Sequence, residues 1–257
     1  MSFFTPFAFV QSTIEAAPLS PIGPTGSTTI PITSSGVNIG VSPSGSPFVD
    51  SVNSYYWEQA SSAPFPAVSI SSSNEFTFGT GDFTIEWFQY QTNTGSFTRH
   101  FYYSDGDDFY PYIGLSLEGP YLNANVTGYI WNSSGGTSLT LIQNPRFAWV
   151  HIAVVRTSGT VKLYRNGIQD GTATFNTDIS QSNGIFSWGI RGWSGGGASE
   201  MFAGSFTSMR VCKGLGVYTG TFTVPTSPLG QTQSANPYGG SNTQAISSGI
   251  CTLLLNP

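Results

Sequence analysis

Short stretches of alternating apolar and polar residues follow one another along the chain from about residue 51. Phe83–Trp87 alternates as a half-buried strand does, and Tyr112–Leu117 repeats the pattern. Trp149–Arg156 is almost continuously apolar, which predicts a strand that is buried on both faces. No stretch combines a helical period with capping residues. These patterns predict an all-β fold.

The segments between the predicted strands are rich in turn-forming residues. Val161–Tyr164 runs into Asn166-Gly167, a dipeptide that suits the positive φ angles of a type I′ hairpin turn. Phe202–Val211 alternates again, and Cys251–Leu255 ends the sequence as a short strand. Many short strands with Gly, Ser and Asn turns are typical of a β-sandwich or a jelly roll.

Residues 1–47 differ in composition from the rest. They contain 7 of the 16 prolines, one acidic residue and no basic residue. Because proline cannot donate a ladder hydrogen bond, this segment is predicted to be an extended arm with one short strand at Thr28–Ile32. We expect the arm to anchor the protein in an assembly, and residues 48–257 to form the jelly roll.

Charge is scarce throughout the 257 residues. Only 8% are charged, against about 25% in ordinary domains, whereas 39% are hydrophobic. A net charge of −5 and a pI of about 4.8 argue against nucleic-acid binding, which needs a basic surface. Apolar runs are too short for a membrane span. A surface with so few charges is expected to be covered in part by partner subunits.

The sequence also predicts the cellular compartment in which the protein is made. Met1–Val10 has no cationic start and no long apolar run, so synthesis in a cytosol without a secretory signal is expected. Cys212 and Cys251 are too few for a disulfide scaffold and lack metal-ligand spacing. They are predicted to be reduced thiols that pack as small hydrophobic side chains.

Several blocks in fixed order resemble a known family. The blocks are Phe78–Trp87, Trp149–Arg156, Val161–Gly167, Phe202–Gly204, Met209–Gly214 and Tyr218–Phe222. Together they resemble the laminin-G-like branch of the concanavalin A-like lectin/glucanase superfamily over about residues 50–257. The resemblance implies a two-sheet antiparallel jelly roll.

Two of these blocks resemble one particular group of domains within the family. Gly79–Thr84 and Tyr218–Phe222 resemble domains in virion proteins of tailed phages and other large viruses. This implies a non-enzymatic virion structural protein (capsid decoration, spike or fibre) that is made in the host cytoplasm. Its arm would contact other virion proteins, it would form a homo-oligomer, with a trimer expected, and its jelly roll would contact host glycans. The alternative is a lectin or adhesin that is not part of a virion.

Catalytic chemistry finds little support in the sequence. Glycoside hydrolysis needs two carboxylates about 5–10 Å apart, and glucanases of the superfamily cluster them on one strand. Glu86 stands alone on its strand and is predicted to face solvent. His151 is predicted to be a core imidazole, whereas His100 is left open between a surface contact and a site. No enzyme activity and no certain cofactor are therefore expected.

One acidic cluster leaves calcium open as a cofactor. Asp105, Asp107 and Asp108 gather three carboxylates around Gly106. Calcium prefers six to eight oxygen ligands, which such a loop and its carbonyl groups can supply. The two interpretations are a calcium site and a polar turn.

Aromatic residues predicted in loops are the candidates for sugar binding, because their rings stack on sugar faces while nearby amides bind hydroxyl groups. The candidates are Tyr103, Tyr110, Tyr129, Trp131 with Asn132, and Trp193. The alternative for each ring is that it covers a neighbouring strand or a subunit interface. Trp87 and Trp149 are predicted to lie in the core.

Overall fold

The computed structural model describes residues 32–35, 38–41, 45–50, 53–57, 67–70, 76–92, 99–104, 112–117, 126–132, 135–141, 146–180, 185–189 and 202–256. The described residues form these strands, numbered in chain order: β1 (Ile32–Ser35), β2 (Asn38–Val41), β3 (Asn53–Trp57), β4 (Ala67–Ile70), β5 (Phe83–Gln91), β6 (Arg99–Ser104), β7 (Tyr112–Leu117), β8 (Val126–Asn132), β9 (Gly135–Leu141), β10 (Trp149–Thr157), β11 (Thr160–Arg165), β12 (Ile168–Thr174), β13 (Ile185–Trp188), β14 (Gly204–Lys213) and β15 (Cys251–Leu255).

Two antiparallel sheets pack face to face, which confirms the predicted all-β jelly-roll sandwich. The first sheet has the strand order β1-β4-β13-β6-β7-β8-β9. The second has the order β12-β11-β10-β5-β14-β3-β2, and β15 also pairs with β14. Strand β5 pairs with β10 and β14, which are distant from it in sequence, and these long-range pairings form the centre of the second sheet.

Most of the arm, including Thr28–Pro31 of its predicted strand, lies outside the described residues. Two of its described segments, residues 32–35 and 38–41, each contribute one edge strand to a sheet. Ile32 pairs with Ile70 of β4 in the first sheet, and Asn38 pairs with Tyr56 of β3 in the second.

The main core lies between the two sheets. Side chains at alternate positions of β5, such as Phe83, Ile85 and Trp87, point into it and are fully buried. Aromatic rings dominate the opposite wall, where Phe186 of β13 stacks on Tyr103 of β6 at 4.5 Å between ring centroids. The prediction that Trp87 is a core residue is confirmed, whereas Trp149 is only partly buried.

Residues 214–250, here called the tail, form a further layer on the outer face of the second sheet. The tail has little regular structure and is held by short bridges such as Tyr218 with Thr243. It buries a second apolar cluster that includes Ala153, Tyr164 and Ile246. The expectation that Phe83–Trp87 is half-buried is therefore wrong, because the tail covers the face that would have met solvent.

The backbone of the Phe78–Asp82 block binds the side chain of Arg156. This side chain is fully buried and donates from Nε to the carbonyl of Gly81 at 2.7 Å and from Nη2 to that of Gly79 at 2.7 Å. Gly79 adopts a φ of +56°, which exposes its carbonyl to the guanidinium group. The backbone carbonyl groups of this block thus bind a buried guanidinium group.

No helix among the described residues has the length and apolar character needed to cross a membrane.

Candidate functional site

Several predicted site residues lie outside the described part of the chain. They are Asp105, Asp107 and Asp108 of the proposed calcium loop, and the aromatic residues Tyr110 and Trp193. In the part that the structure does describe, no group of three or more His, Cys, Asp or Glu side chains could hold a metal ion. The calcium interpretation stays a prediction.

Tyr129, Trp131 and Asn132 were predicted to lie in a loop, and the structure places them in strand β8. The backbone of Tyr129 pairs with Gly114 of β7 and with Ser138 of β9, so this part of β8 is an inner strand of the first sheet. Their placement in a loop was wrong because the hydrophobic run at Val126–Trp131 extends the sheet.

Tyr103 was also predicted to be a loop aromatic for sugar binding, and it lies instead in β6 and is fully buried. Its hydroxyl group donates to the carbonyl of Phe76 at 2.7 Å. Because its ring stacks on Phe186 inside the sandwich, Tyr103 is a core residue that no ligand can reach.

Glu86 was predicted to face solvent, and this expectation is wrong. The carboxylate is fully buried between the second sheet and the tail. Oε1 accepts hydrogen bonds from Nε and Nη2 of Arg210 at 2.8 and 2.7 Å. Oε2 accepts from the hydroxyl group of Tyr218 at 2.6 Å and faces Nε2 of His151 at 3.0 Å. We call these four residues the buried ion-pair cluster.

The electrostatics of the cluster favour a charged Glu86. Burial alone would raise the pKa of this carboxyl group, but the charge of Arg210 and the hydrogen bonds from His151 and Tyr218 outweigh burial and lower the pKa to about 2. Burial and the adjacent carboxylate also raise the pKa of Tyr218. The predicted core position of His151 is confirmed. With both oxygens occupied and no access to solvent, Glu86 is not placed to act on a substrate.

His100 is part of a second buried polar cluster, which lies between the sheets. A β-bulge in β6 between Arg99 and Phe101 re-aims the His100 side chain into the core. The indole of Trp87 can only donate, and it does so to Oε1 of Gln89 at 2.9 Å. The amide nitrogen of Gln89 therefore donates to Nδ1 of His100 at 2.8 Å. His100 is thus a core residue that is hydrogen-bonded through Nδ1, whereas its Nε2 is buried with no hydrogen-bond partner among the described residues.

A row of partly exposed aromatic side chains crosses the outer face of the second sheet, beside the tail. Tyr56 of β3 and Tyr90 of β5 both pair with Ser205 of β14, and Tyr90 pairs with Trp149 of β10. These four residues, here called the aromatic row, lie at one level on four adjacent strands. Strands are about 4.8 Å apart, so the row is about 15 Å long.

The rings of the aromatic row are only partly covered. Tyr56, Tyr90 and Trp149 are each of intermediate exposure, and Ser205 is buried beneath them. Tyr90 and Trp149 meet edge to face, with ring centroids 5.7 Å apart. The row thus combines flat apolar surfaces with hydroxyl and indole N–H groups, and it contains no ionisable acid or base that is charged at neutral pH.

Phe147 lies close to one end of the aromatic row. Its ring is 61% exposed and its φ is +56°, a conformation that is strained for a bulky residue. Its backbone N–H donates to the carbonyl of Gln91, the residue that follows Tyr90 in β5. An exposed ring on a strained backbone is a feature that often accompanies binding sites.

The sequence did not reveal the aromatic row. Its members come from strands that are far apart in the chain, and Trp149 had been assigned to the core. The available signal was the alternation in β5, which places Tyr90 on the face opposite Trp87 and Gln89. The register of β5 with β10 and β14 was also needed, and no local pattern gives it.

Comparison with known families gives one match. The Laminin_G_3 family model, described as part of the concanavalin A-like lectin/glucanases superfamily, matches residues 61–214. No match was found among curated proteins.

Solved structures with this architecture include domain 4 of AbnA, a GH43 extracellular arabinanase from Geobacillus stearothermophilus, in complex with arabinotriose. The similarity has a TM-score of 0.51 at 16% identity, over 72% of this chain and 82% of that one. The binding domain of botulinum neurotoxin serotype D also has a TM-score of 0.51, at 10% identity, over 74% of this chain and 44% of that one. At such identities the similarity shows a shared fold alone.

Proposed function

The chain belongs to the concanavalin A-like lectin/glucanase superfamily, and we propose that it is a non-enzymatic carbohydrate-binding domain whose glycan lies along the aromatic row. The observation that carries the proposal is the alignment of Tyr56, Tyr90 and Trp149 across adjacent strands with their rings partly exposed. Aromatic rings stack on the apolar faces of sugar rings, and hydroxyl groups along the row can bind sugar hydroxyl groups.

The chemistry of the row favours an uncharged glycan. Its side chains are phenol, indole and hydroxyl groups, so the four residues of the row themselves offer no cation to a sulfated or carboxylated sugar. The similar fold of the arabinanase domain, which was solved with arabinotriose, supports a neutral oligosaccharide as the class to test first.

The proposal excludes glycoside hydrolysis at Glu86. This carboxylate is bound on both oxygens by Arg210, Tyr218 and His151 and has no solvent access. A hydrolase needs a carboxyl group that can reach the glycosidic oxygen. Glu86 is accordingly assigned to the stability of the fold.

The proposal is tested by screening the protein on an array of neutral and acidic glycans and measuring the affinity of each hit by calorimetry. We expect Tyr90→Ser and Tyr56→Ser each to weaken binding about tenfold, the loss expected for one stacking ring. Ile168→Ser is the matched control, since Ile168 is 57% exposed on edge strand β12, away from the row. Equal affinities for the three variants would overturn the assignment of the site.

We further propose that this domain is displayed on a virion, as a decoration, spike or fibre component made in the host cytoplasm. Support comes from the resemblance of the Gly79–Thr84 and Tyr218–Phe222 blocks and from the charge content of only 8%. Residues 1–47 would contact other virion proteins, and the chain would form a homo-oligomer. Regular immunogold labelling of purified particles is the expected result, and intact particles without the chain would contradict it.

A further inference from the structure

Cys212 and Cys251 face each other across two strands. Cys212 of β14 is the register partner of Cys251 of β15, at a bulge that follows Val211. Both side chains are buried, at 0% and 4% exposure, in the second apolar cluster beneath the tail. Opposed residues of an antiparallel pair have Cα atoms about 4.5–5.5 Å apart, within the range that a disulfide bond spans.

The two thiol groups interact, because hydrogen bonding between the Cys212 and Cys251 side chains shifts the pKa of both. The Cys251 thiol group itself donates to the carbonyl of Leu253 at 3.1 Å. Both cysteines are free in this structure, and their burial in the second apolar cluster confirms the prediction that they pack as small hydrophobic side chains. The hydrogen bond from Cys212 lowers the pKa of the Cys251 thiol group and so favours its thiolate, the reactive form, whereas this hydrogen bond and burial raise the pKa of Cys212.

The two cysteines lie at the two ends of the tail. Cys212 and Cys251 directly flank residues 213–250, so a bond between them would close the tail into a loop at its base. The backbone already closes this point, because the N–H of Lys213 donates to the carbonyl of Ile250 at 3.0 Å. The tail supplies Tyr218 to the buried ion-pair cluster and covers Glu86.

We propose that Cys212 and Cys251 form a reversible intramolecular disulfide by exchange with a small-molecule disulfide such as oxidised glutathione. Strand β15 is short and, among the described strands, pairs with β14 alone, so transient opening exposes Cys251 first. Its thiolate attacks one sulfur of the oxidant and releases one reduced thiol. Cys212 then attacks the mixed disulfide and releases the second. The protein loses two hydrogen atoms, and the oxidant is reduced to two thiols.

The bond stabilises the folded chain by restricting the unfolded one. Closing a loop the length of the tail lowers the entropy of the unfolded state, and the native positions of the cysteines need little change. The expected effect is an increase in Tm of about 5 °C or more for a chain of this size.

The experiment equilibrates the full chain with oxidised glutathione and measures its intact mass, free thiol groups and Tm. We expect a loss of two hydrogen atoms without a glutathione adduct, no free thiol groups, and a higher Tm that returns to its starting value after reduction with dithiothreitol. Proteolytic cleavage within the tail should leave the two fragments linked only in the oxidised protein.

Cys212→Ser and Cys251→Ser are the matched controls, since each leaves one thiol group and should show no rise in Tm under oxidant. The native chain before and after reduction is its own control if either variant fails to fold. The proposal is overturned if the folded chain keeps two free thiol groups in oxidant, forms only intermolecular disulfides, or has a lower Tm when oxidised.

Discussion

The buried ion pair of Glu86 and Arg210 in the second sheet is joined to the tail through Tyr218. Both side chains are fully buried, and the carboxylate accepts two hydrogen bonds from the guanidinium group and one from Tyr218 of the tail. Removing one partner of a buried ion pair leaves the other charge uncompensated in the interior, which costs more than the pair itself contributes.

We therefore predict that Glu86→Gln lowers the free energy of unfolding by about 3–5 kcal/mol, as measured by urea denaturation. Asp50→Asn is the control, because Asp50 is exposed and its change should stay within about 0.5 kcal/mol. The double variant Glu86→Leu/Arg210→Met should be less destabilised than Glu86→Gln. A Glu86→Gln protein as stable as the control would refute the structural role.

His100 makes stability depend on pH. Burial, together with the charge of Arg146, lowers the pKa of His100 to about 3, against an ordinary value of 6.5. Below pH 6.5 the unfolded chain binds a proton at His100 that the folded chain does not bind, so stability falls as pH falls towards 3. Glu86 loses its contribution only below its ordinary value of 4.5, so the effect of His100 is measured separately from that of Glu86 above this pH.

The predicted loss from His100 is about 2 kcal/mol between pH 7.5 and pH 5, measured by urea denaturation at each pH. His100→Gln should remove most of this slope, since glutamine does not titrate and can still hydrogen-bond to Gln89. A slope that is the same in both proteins would show that His100 is not its origin.

At the scale of elements, the β11–β12 hairpin is joined to the tail through its turn. Asn166 and Gly167 have φ angles of +48° and +77°, which confirms the predicted type I′ turn. The carbonyl of Gly167 accepts a hydrogen bond from the N–H of Phe222 at 3.0 Å. A Cβ atom at position 167 would lie 2.1 Å from the carbonyl oxygen of Phe222, so the turn has no space for a side chain.

Gly167→Ala should destabilise the chain by about 1–3 kcal/mol more than Gly214→Ala. The two glycines have similar φ angles, +77° and +83°, but a Cβ atom at Gly214 would meet nothing within 4 Å. The comparison separates the cost of backbone strain from that of displacing the tail. Equal losses of stability in the two variants would mean that displacing Phe222 does not add to the cost of Gly167→Ala.

Local patterns in the sequence predicted several of the elements, but they missed strand β8 at Tyr129–Asn132 and the layer that the tail forms. The bounds of Cys251–Leu255, the double-sided burial of the strand from Trp149 and the Asn166-Gly167 turn were all predicted. The solvent-facing assignment of Glu86 failed because the tail that buries it has no strand pattern. The aromatic row was missed because it depends on the register of strands distant in sequence, such as that of Tyr90 with Ser205.

At the scale of the whole molecule, the tail divides the outer face of the second sheet. It covers the part that contains the buried ion-pair cluster and the second apolar cluster, and the aromatic row lies beside that part. The part of the sheet that the tail covers therefore stabilises the fold. In our proposal, the part that contains the aromatic row binds the glycan. The sheet fixes the spacing of the rings, so binding requires little rearrangement.

The most direct test of this account is a proton–nitrogen NMR titration of the uniformly labelled chain with a neutral oligosaccharide identified on the array. The chain has 6 tryptophan residues, and Trp149→Phe identifies the indole signal of Trp149. The account predicts that this signal shifts with sugar concentration, whereas the signals of buried Trp87 and Trp188 do not. Saturable binding that leaves the Trp149 signal unmoved would contradict the assignment of the aromatic row as the glycan site.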